Sequence, residues 1–265
     1  SFFTSIKLPA MAKDEISQAV QYEIRPYVPL PLDEVTLDWS IVEGEPPGTA
    51  LKVLVVAIPN DIISQYREIA HLANLNLRIL ESEVFALARA SIKNGKEKKV
   101  IGLIDIGARS TTCSVVEEGV LKISHSFNTA GNQLTEIIAR SLNIDYNKAE
   151  EIKKKHGLIT NDEPEESKNV RKVLIPLIDS ILEEIKKAFR NFYLKEGKEI
   201  EKIVLAGGLA SMPGLKEYFS TELKKELNIA DPFSNIACPA ILTNTLKEIG
   251  STYTVAMGLA MKGLE

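Results

Sequence analysis

Three runs of strand-forming residues, Val100–Ile106, Thr111–Val116 and Val120–Phe127, follow one another with tight turns at Gly107–Ser110 and Glu117–Gly119. Turns this short join antiparallel neighbours, which commits the segment to a small meander. Helical patterns follow. Asn132–Leu142 carries Leu134, Ile137, Ile138 and Leu142, and Asn147–His156 is a second, more charged segment. A long helix from Val170 has Leu174, Leu177, Ile181, Ile185, Ala188 and Phe192 on one side, and Pro176 within it implies a kink or a later start. Between the last two, Thr160–Asn169 is polar and reads as a loop. The apolar run Lys202–Ala206 then returns as a strand and ends on Gly207-Gly208. Strands that resume after helices belong to an α/β sheet. Gly214–Leu227 reads as helical, and Tyr253–Lys262 as a last helix packed through the small residues Ala256, Gly258 and Ala260.

The first part of the chain has a different organisation. Residues 1–8 alternate as a strand, and residues 13–25 place Ile16, Val20, Ile24 and Tyr27 on one helical stripe. Val35–Val42 aligns Val35, Leu37, Trp39 and Ile41 on one face, and Leu51–Ile58 is apolar almost throughout. Asn60 or Asp61 caps a helix whose stripe is Ile62, Tyr66, Ile69 and Ala73. This is an α+β unit of its own. Leu77–Leu80 and Glu83–Ile92 read as a short strand and a helix, and Lys93–Lys99 as a charged linker.

Composition narrows the function classes. Lys and Arg number 32 against 36 Asp and Glu, with the two signs interspersed, so no basic patch is offered to nucleic acid. No run reaches the roughly 18 apolar residues that a membrane span needs, which predicts no direct membrane insertion. The start has no signal-peptide core, and Cys113 and Cys238 lack metal or disulfide spacing, so the expected location is cytoplasmic. His71, His125 and His156 are scattered, and His125 reads as a half-buried packing residue.

Three segments could carry chemistry. In Ile104–Thr112, Asp105 ends a buried strand, where a carboxylate needs a cation or hydrogen bonds. Gly107 permits close approach to a phosphate, and Ser110 and Thr111 add hydroxyls. The same residues also read as an ordinary Asp-x-Gly hairpin turn. In Ile203–Gly214, a strand runs into paired glycines, leaving a floor free of side chains for a base or a phosphate; a plain helix-entry turn fits as well. No Walker or dinucleotide-binding pattern is present. Ala149–Gly157, with Glu150 and Lys153, reads by itself as an exposed helix laced by Glu/Lys pairs.

The order of these segments resembles the second half of an actin-like ATPase. The carriers are Asp105-Ile-Gly107 with Thr111, Ala130-Gly131-Asn132-Gln-Leu-Thr135, Ala149-Glu150…Lys153 and Ala206-Gly207-Gly208. In detail the chain is similar to the PilM family of type IV pilus assembly proteins, relatives of the division protein FtsA. Lys7-Leu-Pro9-Ala-Met11, Leu37-Asp38-Trp39, Glu83–Ala90 and Ala256-Met-Gly-Leu-Ala260 carry that likeness. The resemblance implies an α/β actin-like (ribonuclease H-like) fold with an inserted α+β subdomain 1C of SHS2 type and with the first part of subdomain 1A missing. Residues 1–74 would form 1C, 75–99 return to 1A, 100–145 and 201–252 form 2A, 146–200 form 2B, and 253–265 supply the terminal 1A helix.

It further implies ATP and Mg2+ as cofactors. Asp105, Gly107, Ser110 and Thr111 would lie on a phosphate hairpin, with Asp105 reaching magnesium through water. Gly131 would open the following helix, Glu150 and Lys153 would reach ribose and base, and Gly207, Gly208 and Leu209 would form the adenosine motif. Because the family's first phosphate motif is absent and Ala130-Gly131 replaces paired glycines, the resemblance implies weak nucleotide binding and at most a weak ATPase. The implied role is a cytoplasmic scaffold at the pilus inner-membrane platform. Its partner would be the cytoplasmic N-terminal peptide of a PilN-like membrane protein, held in a groove between 1A and 1C. Other platform proteins and pilus ATPases are further expected partners. An FtsA-like division protein and a sugar-kinase-type phosphotransferase are the alternatives.

Overall fold

The computed structural model describes residues 2–92, 97–159, 165–234 and 236–264. Most of the charged linker and the start of the polar loop therefore lie outside the described residues. The chain divides into two compact units between Ser82 and Glu83.

In the first unit, strands β1 (Phe2–Leu8), β2 (Val35–Glu43) and β3 (Leu51–Pro59) form an antiparallel sheet in the order β1-β3-β2. Ile6 opposes Val53 and Leu8 opposes Leu51, so the two-residue period places both apolar rows on one face. Helix α1 (Ile16–Glu23) covers that face with Ile16 and Val20, and Ile24 continues the stripe, all three buried. Tyr27, expected on the stripe, is exposed. Helix α2 (Asn60–Leu72) also departs from expectation. Its buried residues are Ile63 and Ala70, while Ile62, Tyr66, Ile69 and Ala73 are exposed. A helix with apolar residues on two faces satisfies the 3.6-residue period in either register, so periodicity could not say which face meets the core. Residues 77–80 form no strand, because no strand among the described residues pairs with them.

The second unit is built on a five-stranded sheet of order β6-β5-β4-β7-β8. Strands β4 (Val100–Ile106), β5 (Thr111–Glu117) and β6 (Val120–Phe127) are the antiparallel meander, and β7 (Lys202–Ala206) lies parallel to β4. The fifth strand, β8 (Glu226–Ile229), corrects the expected helix at 214–227. Helix α7 is only Leu215–Leu223, because Lys224 adopts a left-handed φ of 52° and turns the chain back alongside β7.

Helices α4 (Gly131–Leu142), α5 (Tyr146–His156) and α6 (Glu165–Glu196) cross from β6 to β7. Helix α6 starts before the expected Val170 and runs through Pro176, which supplies no N–H to the Lys172 carbonyl. Val170, Leu174, Ile178, Ile181, Ile185 and Phe192 of α6 are buried against the sheet core. His125 on β6 is exposed rather than half-buried, with its ring 5.8 Å from that of Phe127 and Nε2 3.3 Å from Glu184. Helix α3 (Glu83–Ser91) packs on the last helix, α9 (Thr254–Lys262), and α8 (Thr243–Ile249) precedes the latter. None of the described helices is long and apolar enough to cross a membrane.

Candidate functional site

The parallel strands β4 and β7 end side by side, with Asp105 opposite Ala206. Both run directly into glycine, Gly107 and Gly207, so the carboxyl ends of the sheet open onto loops rather than side chains. Such ends are where open α/β sheets take ligands. A cleft of about 660 Å³ lies here. Its walls include Gly107, Gly131, Glu150, Lys153, Gly208 and Leu209 from the expected set. Asn132, Tyr146, Lys154, Ser211, Met212, Glu248, Ile249 and Thr252 also line it, and sequence reasoning missed them as ligand-facing residues. Met212 sits just past the paired glycines, and Tyr146 follows the Asp145 cap of α5, whose carboxylate accepts from the Lys148 N–H at 3.0 Å. Glu248, Ile249 and Thr252 come from a distant segment with no local signal.

Asp105, Ser110, Thr111 and Gly207 do not line this cleft. Ser110 is exposed on the turn. Thr111 is fully buried, and its hydroxyl donates to the Thr129 carbonyl at 2.7 Å. Asp105 lies beside Gly207, close enough that a Cβ on Gly207 would stand 2.4 Å from Asp105 Oδ1 and from the Ile106 carbonyl oxygen. Gly207 also has φ +88°, so an alanine there is strained and crowded at once. Gly207→Ala is expected to cost on the order of 3 kcal/mol, read by chemical denaturation, and a neutral effect would show that the turn relaxes freely.

Burial pushes the Asp105 carboxyl up to about 6, and the negative charge of Glu83 adds to the rise. The half-buried Asp105 and the exposed Glu83 are two carboxylates whose charges act on each other, a donor set that suits a divalent cation. Among the described residues no group of three or more His, Cys, Asp or Glu side chains could hold a metal by itself.

Backbone amides near the cleft are engaged. The Gly131 and Asn132 N–H groups donate to the carbonyls of Gly107 and Ala108 at 3.0 and 2.8 Å, tying the start of α4 to the β4–β5 turn. Gly207 N–H donates to the Ser251 carbonyl and Leu209 N–H to that of Ile106.

Lys153, expected on an exposed helix face when its segment is read alone, is buried. Its ammonium donates to the Gly131 carbonyl at 3.0 Å and to Thr135 Oγ1 at 2.7 Å, and lies 2.6 Å from Glu150 Oε2. Burial disfavours the Glu150 charge, but hydrogen bonds from Lys153 and Thr135 outweigh it and hold the carboxyl below its usual pKa. The resulting stabilisation is present above the ordinary Glu value and is lost as pH falls through the lowered one.

The comparisons with known proteins agree with this architecture. The family model described as type IV pilus assembly protein PilM matches residues 4–264. The chain belongs to the PilM family. A solved PilM–PilN type IV pilus biogenesis complex contains a chain superimposing on all of this PilM-family chain with a TM-score of 0.86, at 26% identity and over 76% of that chain's length. MreB5 of Spiroplasma citri bound to AMPPNP has a TM-score of 0.60 at 18% identity, covering 78% of this chain and 66% of that one, a likeness of fold. The cell division protein FtsA of Enterococcus faecalis is 28% identical over 189 residues, 63% of this chain and 42% of FtsA. The PilM-family chain thus spans less than half the length of that curated relative. The fold is that of the actin-like ATPases, as the sequence resemblance implies.

Proposed function

We propose that this chain is part of a nucleotide-binding scaffold of the type IV pilus assembly platform, located in the cytoplasm and held at the inner membrane through a PilN-like partner. The observation that carries the reading is the superposition of the whole chain on a protein of a PilM–PilN complex. The cleft at the ends of β4 and β7 supports the nucleotide part, since about 660 Å³ falls in the range of small-molecule sites, roughly 300–1,000 Å³. In this reading residues 1–74, within the first unit, stand as 1C, residues 75–99 return to 1A, and the rest of the second unit supplies 2A, 2B and the terminal 1A helix.

The residues present fit ATP with Mg2+. Gly208, Leu209, Met212 and Ile249 offer a flat, largely apolar seat for the base. Glu150 would be a charged acceptor for sugar hydroxyls, and the Gly107–Ala108 part of the β4–β5 turn, which lines the cleft, would meet the phosphates. Asp105 and the neighbouring Glu83 would attract magnesium, Asp105 through an intervening water. When bound, the ion would neutralise phosphate charge and polarise the phosphoryl oxygens. The protein's own part is to seat and orient the nucleotide. The three-stranded sheet of the first unit, with β1 and β2 at its edges, offers backbone groups to an extended partner peptide.

Two titrations test this reading: Mg-ATP, and a synthetic peptide of the N-terminal cytoplasmic segment of the PilN-like protein from the same cell. Saturable binding of both is expected. Peptide binding without nucleotide binding would reduce the cleft to a structural remnant, and failure of both would remove the scaffold reading.

A further inference from the structure

Behind the cleft wall, Thr135 on α4 sits at the centre of a closed set of hydrogen bonds. It is fully buried and does not line the cleft. Its hydroxyl proton lies between two acceptors, Glu150 Oε2 at 2.5 Å and the Gly131 carbonyl one helical turn back at 3.1 Å, and its oxygen accepts from Lys153 Nζ at 2.7 Å. The Lys153 ammonium has three protons and meets three acceptors: Thr135 Oγ1, Glu150 Oε2 and the Gly131 carbonyl. Every donor in the set is used. One consequence is that Glu150, a residue of the cleft wall, has its Oε2 held by two donors, while among the described residues its Oε1 meets the exposed Lys154, 3.4 Å away.

A second consequence runs the other way. The Gly131 carbonyl is fixed by Lys153, and the Gly131 N–H fixes the Gly107 carbonyl of the β4–β5 turn. An unbroken path of hydrogen bonds therefore joins the carboxylate on α5, through Thr135 and Lys153, to the turn that ends β4. Glu150 and Gly107, at the two ends of the path, both line the cleft. Buried polar networks of this kind set geometry sharply when every member is satisfied, and lose it when one member is removed.

We propose that Thr135 is a positioning residue of the cleft, holding Glu150 toward a sugar hydroxyl and the start of α4 against the Gly107–Ala108 turn. The sugar part of this inference rests on the nucleotide reading above. A β-branched, nearly isosteric valine removes the hydroxyl while keeping the volume, and serine restores the hydroxyl while losing the methyl group.

Amide hydrogen exchange and Mg-ATP titration on the wild-type chain, Thr135→Val and Thr135→Ser test it. In Thr135→Val, exchange at Gly131 and Asn132 is expected to rise about tenfold relative to the Leu103 amide of β4, and Mg-ATP affinity to fall about tenfold, since hydrogen bonds to charged groups are each worth about that factor. The preference for ATP over 2′-deoxy-ATP should shrink in the same variant. Thr135→Ser should restore all three readouts even if its melting temperature is lowered. Unchanged exchange at Gly131 and Asn132 in Thr135→Val, or a uniform rise that includes Leu103, would overturn the positioning role. A selective rise in exchange together with no Mg-ATP binding by the wild-type chain would support the positioning of the walls and overturn the nucleotide reading instead.

Discussion

Asp105→Asn is expected to raise stability at neutral pH while removing the gain that Mg-ATP confers. Asp105 ends a central strand, with Thr112 and Ala206 as its register neighbours. Burial, and then the charge of Glu83, raise its carboxyl from 3.8 to about 6. A raised pKa means that the folded state holds the proton more tightly than the unfolded chain. The resulting stabilisation is complete below 3.8 and is lost as pH rises through about 6. At pH 7 the ionised side chain therefore costs the fold about 1–3 kcal/mol, since each tenfold difference in proton affinity between the two states corresponds to roughly 1.4 kcal/mol. Asparagine keeps the size and carries no charge. Its advantage over the wild-type residue should be near zero at about pH 4 and complete by about pH 7, as denaturant titrations at the two pH values would show.

Mg-ATP should raise the melting temperature of the wild-type chain through mass action, and that of Asp105→Asn far less. A residue kept at a cost to the fold and needed only with ligand present is the pattern of a functional site. If Asp105→Asn were destabilising at pH 7, or responded to Mg-ATP as the wild type does, the assignment of Asp105 to the nucleotide site would fall.

The sheet of the second unit was legible because its strands are coded locally. Val100–Ile106 is an apolar run interrupted only by Asp105, and Gly107 and Gly207 mark where the parallel strands stop. Strand β8 was not legible. Its four residues bury only Leu227 and follow a helical pattern without a break, and the break comes from a lysine in a left-handed conformation. The site divides in the same way. Gly107, Glu150 and Gly208 belong to short motifs and could be named in advance. Tyr146, Met212, Ile249 and Thr252 meet at the cleft only because separate elements converge there. Lys153 shows the limit most clearly. Glu150, Lys153 and Lys154 have the spacing of a solvated ion-pair ladder, and nothing in that spacing says that Gly131 and Thr135 of the preceding helix will enclose the middle charge. The apolar stripe of α2 erred in the opposite sense, since a second apolar face took its place in the core.

Gly258→Ala should be among the most damaging single-methyl additions in the molecule. In an ordinary helix interior this substitution stabilises by about 0.5–1 kcal/mol, because glycine has more freedom to lose on folding. Here α9 lies so close to α3 that a Cβ on Gly258 would stand 1.9 Å from the Ala86 carbonyl oxygen and 2.9 Å from the Ala86 Cα. Both are backbone atoms of a buried residue, so no side-chain rotation relieves the overlap. The Gly258 carbonyl accepts from Arg89 Nη1 at 2.9 Å, a second tie between the same two helices that their separation would stretch. The expected loss is on the order of 3–5 kcal/mol, above the roughly 1–3 kcal/mol usual for overpacking because the overlap is with backbone. Gly263→Ala is the control, since the nearest atom to its added Cβ is 3.4 Å away. Gly263 caps the same helix, so denaturant titration of the two variants compares a crowded methyl group with an uncrowded one at the helix end. A Gly258→Ala protein as stable as Gly263→Ala would mean that α3 and α9 do not pack at this distance. The consequence should reach the cleft as well. Helix α3 begins at Glu83, whose charge acts on Asp105, so forcing α9 away from α3 displaces a carboxylate that sets the electrostatics of the proposed magnesium position. Loss of the Mg-ATP response in Gly258→Ala, at a temperature where the variant is still folded, is the expected result.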